Sequence, residues 1–314
     1  MKLLKKKDFL VFLETLAKKN DFYAPTSKKE FGRIRKVDDI CFDYTKTEMP
    51  AKSIFFPREE IMMRFSEKKI RIVKPRLKRK TIIFGLRSCD LVAIEIMDRI
   101  FENDLWYKAR RKNAILIGMA CNKTDDSCFC ASFGINPRNG DADLWVINEG
   151  ESFFLQPKTS VGRKLVNKLL KNIPNTRKKP KKRRLKFKKK VLFNKKELQK
   201  LKELNFDNWK ECLACGSCTT ICPTCHCFDV VDVVEQDLKR GVRKRVWASC
   251  MERDFSRIAG DLILRNKRTD RLRQFVLDKF IYFEHHYGHM GCVGCGRCIE
   301  TCPVGIDIRK ILSK

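Results

Sequence analysis

Two stretches of the chain repeat one cysteine pattern without a change in spacing. Cys212-Leu-Ala-Cys215-Gly-Ser-Cys218-Thr-Thr-Ile-Cys222-Pro223 and Cys292-Val-Gly-Cys295-Gly-Arg-Cys298-Ile-Glu-Thr-Cys302-Pro303 both read C-x2-C-x2-C-x3-C-P. Three thiolates so spaced wrap one [4Fe–4S] cube, and the fourth cysteine of the run serves the other cube. The spacing therefore predicts two cubes with exchanged fourth ligands. Cys212, Cys215, Cys218 and Cys302 hold the first, and Cys292, Cys295, Cys298 and Cys222 the second. Zinc is the competing metal, but its tetrahedral sites usually come as separated C-x2-C pairs, where a third cysteine two residues on has no place. Gly216 and Gly296 stand where backbone N–H groups must approach the cluster sulfurs. Each proline after a fourth cysteine turns the chain away.

A second constellation precedes the runs. Lys80 to Leu86 is a short apolar segment rich in Ile, expected as a buried strand, and Ala114 to Met119 is another. Between them Asp90 is placed to cap a helix over Leu91 to Phe101, which gives a β-α-β unit. Cys89 and Cys121 fall in the turns after the two strands, and Cys128-Phe129-Cys130 follows closely. Carboxyl ends of parallel strands are where such sheets place ligands. Buried packing is the ordinary role of a free cysteine. The C-x-C pair favours soft-metal ligation instead. Cys89, Cys121, Cys128 and Cys130 are accordingly expected to hold a third [4Fe–4S] cluster. Cys41 has no partner in sequence and is expected in the core.

The elements that position these groups read as α+β or α/β. Residues 1–173 are expected to form an α/β domain opening on an amphipathic helix. Residues 174–200 form a basic linker or insert, with eleven Lys/Arg among the fourteen residues from Arg177 to Lys190 and no acid. Residues 201–314 are expected as a ferredoxin-like dicluster domain with a helical insert at 228–290. In that insert helices are expected over Asp229 to Leu238 and over Thr269 to Phe283, where Leu272, Phe275, Val276 and Phe280 recur at helical spacing. Asn194-Lys-Lys-Glu signals a further helix running to about Leu204. Trp209, just before the first run, is placed either to shield that cluster or to fill the core.

The 314 residues carry 69 Lys+Arg against 38 Asp+Glu, a net charge of +31, with 43% hydrophobic residues and 16 Cys. That is apolar enough for a core. The longest apolar run, Ala114 to Cys121, is far short of the roughly 18 residues a membrane helix needs. The basic opening carries Asp8 and Glu14 and no small-residue cleavage site, so neither membrane nor secretion is expected. Sixteen cysteines in so long a chain are not a disulfide scaffold, and metal-bound thiolates point to a reducing cytoplasm. Dinucleotide and P-loop fingerprints, hydrolase triads and paired terminal C-x2-C motifs for nickel are all missing. Electron conduction is therefore expected, with substrate chemistry left to another subunit. The charge raises an alternative, a basic nucleic-acid-binding protein with structural metal clusters. No zinc finger, RNP or GXXG motif accompanies the charge, and most of it lies outside the basic stretch, so nucleic acid is not the expected partner. Solvated surface lysines account for it equally well, as does steering of an acidic redox partner. His285, His286 and His289 are expected on a polar surface.

Several segments together resemble a known family. They are Tyr23-Ala-Pro25, Pro50 to Phe56, Phe84-Gly-Leu-Arg-Ser-Cys89-Asp90, Asp126-Ser-Cys128-Phe-Cys130, Cys222-Pro-Thr-Cys225-His-Cys227, Trp247-Ala-Ser-Cys250, Asp270-Arg-Leu-Arg-Gln274 and the second run. Their order resembles the iron–sulfur beta subunit of cytoplasmic sulfhydrogenases, which are NiFe hydrogenases, and its relative, the corresponding iron–sulfur subunit of anaerobic sulfite reductase. The resemblance covers the chain except 174–200. It implies an electron relay without a substrate-converting site of its own. The partners it implies are a flavin and [2Fe–2S] subunit handling NAD(P)H, and a hydrogenase or a sulfite/sulfur reductase catalytic subunit. Gly260-Asp261-Leu-Ile-Leu-Arg265 departs from the family's Gly-Gly and Pro-containing turn. Cys225, Cys227 and Cys250 recur in the family pattern, and are expected either as further ligands or as buried thiols that tune the clusters.

Overall fold

A computed structural model describes residues 1–191 and 195–313. Asn194, the expected start of a helix, lies outside the described residues. The first part of the chain runs β1 (Lys2–Lys5), α1 (Lys6–Lys19), β2 (Asp21–Pro25), β3 (Phe31–Arg33), α2 (Lys52–Phe55), β4 (Glu59–Ser66), β5 (Lys69–Ile72) and β6 (Thr81–Leu86). It continues with α3 (Ser88–Ile100), α4 (Leu105–Asn113), β7 (Ala114–Met119), β8 (Leu144–Asn148), β9 (Ser152–Pro157) and α5 (Ser160–Leu169). Seven of these strands form one sheet in the order β1-β9-β8-β7-β6-β2-β3. Its middle, β8-β7-β6-β2, is parallel and its edges are antiparallel.

Both faces of this sheet are covered, which is why its central strands read as unbroken apolar runs. Ile82 and Phe84 of β6, Ile117 of β7 and Val146 of β8 pack with Phe9 and Leu13 of α1 and Val166 of α5. The alternate residues Ile83, Leu86, Leu116 and Trp145 pack with Leu91, Ile94 and Met97 of α3 and with Tyr107 of α4. The mixed α/β architecture and the β-α-β unit agree with the sequence. The cap does not. Arg87 is the N-cap residue of α3, and Asp90 sits three positions inside, its carboxylate accepting the Arg87 backbone N–H at 3.1 Å. The helix thus starts three residues earlier than expected, because Asp90 closes a capping box rather than opening the helix.

The basic stretch has no regular secondary structure but is tied to the first sheet's surroundings. Lys188 pairs with Asp126 at 2.5 Å, Arg183 reaches Glu149 at 3.5 Å, and the Val191 N–H donates to Ser132 at 2.9 Å. Beyond it come α6 (Lys195–Lys200), α7 (Ser217–Thr220), β10 (Phe228–Val234), β11 (Arg240–Trp247) and α8 (Arg268–Leu277). A π-helical turn (Asp278–Tyr282), α9 (Phe283–Tyr287), α10 (Arg297–Glu300) and α11 (Ile308–Leu312) follow.

The insert between the runs is only partly helical. Its second half matches expectation in α8, the π-turn and α9. Its first half corrects the helix expected over Asp229 to Leu238: β10 and β11 are a hairpin that pairs with β4 and β5 in a four-stranded antiparallel sheet, order β10-β11-β4-β5. Val230, Val231, Val233 and Val234 are β-branched and lose side-chain freedom in a helix. The partner β4 waits in the first half of the chain, so long-range pairing overrides the local pattern.

Arg245 fastens this sheet to the first part of the chain. It is buried, pairs with Glu60 at 2.7 Å and Asp104 at 2.5 Å, and lies over the Phe56 ring. Arg245→Ala takes the counter-charge from Asp104 and one of two from buried Glu60, which keeps its pair with Arg110, and is expected to cost about 2 kcal/mol. Denaturant unfolding would check this, and an unchanged midpoint would refute it.

Candidate iron–sulfur centres

The two cysteine runs fold alike. In each, a left-handed glycine, Gly216 (φ 74°) or Gly296 (φ 78°), starts a single helical turn, α7 or α10, that ends just before the fourth cysteine. The residue before the second cysteine is also left-handed, Ala214 in one run and Gly294 in the other. These reversals curl three cysteines around one point, which an unbroken helix or strand cannot do.

Cys212, Cys215 and Cys218 line one cavity, and Cys302 from the other run lines it with them. The cavity is walled by Met251, Leu272, Phe275, Val276, Ile306 and Ile311 among others. No charged side chain lines it among the described residues. Cys215 is exposed at the mouth, and Cys212 is buried. Trp209 is buried in the core cluster that includes Cys212, packed against Phe206, and does not line the cavity.

Cys222 is brought to the second run. Its charge bears on Cys292, Cys295 and Cys298. Burial pushes the Cys292 thiol up to about 12, and does the same to Cys218 in the first group. The Ser217 hydroxyl, 3.3 Å away, holds Cys215 below the usual thiol range. Burial that opposes a bare thiolate is relieved when the sulfur shares its charge with a metal.

The N-terminal cysteines meet the second run from the other side. The Phe129 N–H donates to the Gly294 carbonyl at 2.9 Å. Cys130 is buried and pushed up to about 12, first by desolvation and then by Cys121, Cys128 and Cys295. Cys89 on α3 is buried, and besides Asp90 its charged neighbours are Cys295, Arg297 and Cys130. Cys121, Cys128 and Cys130 thus lie together, and both Cys130 and Cys89 neighbour Cys295. Cys41 is only half-buried, its Sγ 3.6 Å from the Asp43 carbonyl, rather than a core residue. His285, His286 and His289 are exposed, as expected.

Several groups around the runs carry no signal in the motifs. Arg297 of the second run is buried and pairs with buried Asp90 at 2.8 Å, while its Nε donates to the Thr47 carbonyl at 2.7 Å. Lys46, also buried, binds Asp125 and Glu300, each at 2.6 Å, and Ser127 at 2.9 Å. Arg87 of the R-S-C-D segment donates to the carbonyls of Met119 (3.1 Å) and Ala120 (2.8 Å), closing the ends of β6 and β7. Cys225 contacts Cys222, and Cys227 contacts Cys250, which brings Cys227 down to about 7. Lys279 is legible in one respect: it falls on the apolar stripe of its helix, three and four residues after Val276 and Phe275, where a lysine is out of pattern.

The residues fit cubes. Each group supplies four soft thiols, and backbone N–H groups point at their sulfurs: Ile306 at Cys302 (3.2 Å) and Gly294 at Cys292 (3.4 Å). The second seat is also tightly fitted. A Cβ on Gly296 would collide with the Ser127 carbonyl oxygen, whereas one on Gly216 would find only side chains, the nearest being Ser249 at 3.5 Å. Both alanine variants pay about 1–2 kcal/mol for the left-handed backbone. Gly296→Ala is expected to lose iron from the second group besides, and Gly216→Ala to keep its iron, as metal analysis of the two would show. Equal losses would contradict the fit.

Comparison with known proteins gives two matches. Residues 211–306 match the 4Fe-4S dicluster domain family. The chain is also similar to sulfhydrogenase 2 subunit beta of Pyrococcus furiosus, 30% identical over an alignment 326 positions long that covers 98% of this chain and 95% of the relative. No solved structure matches.

Proposed function

Since this chain belongs to the sulfhydrogenase beta-subunit family, we propose that it is the electron-relaying iron–sulfur subunit of a multisubunit hydrogenase complex. The observation that carries this reading is the pair of like-folded cysteine runs, with Cys302 of one lining the cavity of Cys212, Cys215 and Cys218 of the other. Cys212, Cys215, Cys218 and Cys302 would hold the first [4Fe–4S] cluster. Cys292, Cys295, Cys298 and Cys222 would hold the second. Cys89, Cys121, Cys128 and Cys130 would hold a third, beside the second run. Such clusters supply one-electron transfer over a wide range of potentials.

The protein's own contribution is to fix these thiols in apolar surroundings, to limit water at their sulfurs, and to set the charge around them. The partners proposed are a flavin and [2Fe–2S] subunit that handles NAD(P)H and a NiFe hydrogenase subunit. An anaerobic sulfite reductase complex is the related alternative on the family resemblance. The compartment proposed is the cytoplasm. Among the described residues no helix is long and apolar enough to cross a membrane.

Iron and labile-sulfide analysis of anaerobically purified protein tests the reading. About twelve iron per chain is expected for three cubes, and about eight if the N-terminal cysteines hold none, since each cube carries four. Zinc without sulfide would sink the proposal.

A further inference from the structure

Two lysines are buried beside the second cysteine group with no carboxylate in ion-pair contact among the described residues. Lys279 donates to Thr224 Oγ1 and to the Gly291 carbonyl, both at 3.1 Å. Thr224 in turn lies 3.2 Å from Cys222 Sγ and donates to Gly291 at 2.6 Å. A single ammonium thus holds the residue before Cys292 and the hydroxyl that touches Cys222, which are the two ends of the second group. Lys52 approaches from α2, donating to the carbonyls of Cys225 (3.0 Å) and Thr219 (3.4 Å), with its ammonium 4.2 Å from the Trp247 ring centre.

The remaining cations here are compensated. Arg297, beside Cys295, is paired with Asp90, and Lys46 is paired with Asp125 and Glu300. The acid that bears on Lys279 among the described residues is Asp278, its sequence neighbour, half-buried and also facing Cys227. Among the described residues no charged side chain lines the first cavity, and the cation that bears on Cys212, Arg268, is exposed.

A lone buried cation is costly unless something anionic faces it. The local backbone is irregular where Lys279 points inward. It lies in the π-turn Asp278–Tyr282 between α8 and α9, and such turns re-aim side chains, frequently at functional sites. The thiols that feel its charge are Cys222, Cys225, Cys227, Cys250 and Cys292. Gaining an electron makes a thiolate-bound cube more negative, so a nearby fixed positive charge favours the reduced form, and local charge is among the levers that set cluster potential.

We propose that Lys279, supported by Lys52, is the fixed positive charge that raises the reduction potential of the second cysteine group's cluster, making that group the place where an electron rests within the protein. This rests on the relay reading above. Lys279 acts through the cluster and its sulfurs, so it is a positioning and tuning residue.

The test is a potentiometric titration, followed by EPR, of the full-length, cluster-loaded protein and its Lys279→Met and Lys279→Arg variants. The second cluster's signal is identified as the one that Cys295→Ala removes. Lys279→Met is expected to weaken its electron affinity at least tenfold, about 59 mV for a one-electron couple. The first cluster should stay unchanged, and Lys279→Arg should recover most of the shift. An unmoved second midpoint, or an equal shift of every cluster, overturns the proposal. Should Lys279→Met fail to keep the second cluster, Lys52→Met is decided by the same measurement, with a shift in the same direction expected and none overturning it. A wild-type protein with no clusters would instead refute the relay reading.

Discussion

Cys302→Ala is expected to remove the first cluster, although Cys302 lies 84 positions beyond Cys218 and belongs to the other run. The reason is geometric. Cys302 shares the cavity of Cys212, Cys215 and Cys218, and its charge bears on both Cys212 and Cys218. A cube left with three thiolates on this open side, where Cys215 is already exposed, has one iron facing water. Iron should fall by about four per chain, with loss of the EPR signal that Cys215→Ala removes and retention of the one that Cys295→Ala removes. If Cys302→Ala abolished the signal that Cys295→Ala removes instead, exchange of the fourth ligands would be wrong.

Arg297→Ala is expected to have the largest effect on stability. Arg297 and Asp90 are among the least exposed charged residues in the protein, and their ion pair joins the second cysteine run to the first turn of α3. Removing the guanidinium leaves the Asp90 carboxylate buried, still accepting the Arg87 N–H but without its ion-pair contact. Loss of one partner of a buried pair costs about 3–5 kcal/mol. Removing both partners strands no charge, so the double variant Asp90→Ala/Arg297→Ala should lose less than the sum of the two single ones. Denaturant midpoints of the four proteins measure this. Strict additivity would show that the pair is not coupled. Cys295 and Cys89 flank Arg297 electrostatically, so the single variant should also retain iron poorly.

The local and the long-range parts of the architecture are not equally legible in the sequence. Strands β6 and β7 are legible because both faces of the parallel sheet are buried, which leaves an unbroken apolar run. The stretch from Asp229 to Leu238 reads as helix because its pattern is ambiguous over so short a length, and the hairpin it enters is anchored by β4, more than 150 residues earlier. Asp90 is recognisable as a capping residue but not its position in the cap, since the same carboxylate serves at either end of a capping box.

Spacing alone predicts the cysteine groups, because three ligands of a cube fall within seven residues and a repeated C-x2-C-x2-C-x3-C leaves few other uses. Charge compensation could not be read that way. That Arg297 meets Asp90, that Lys46 gathers Asp125, Ser127 and Glu300, and that Lys279 faces the sulfurs without an acid partner depend on segments far apart in sequence. Electrostatic energy follows separation in space and burial, and only the tertiary structure sets either.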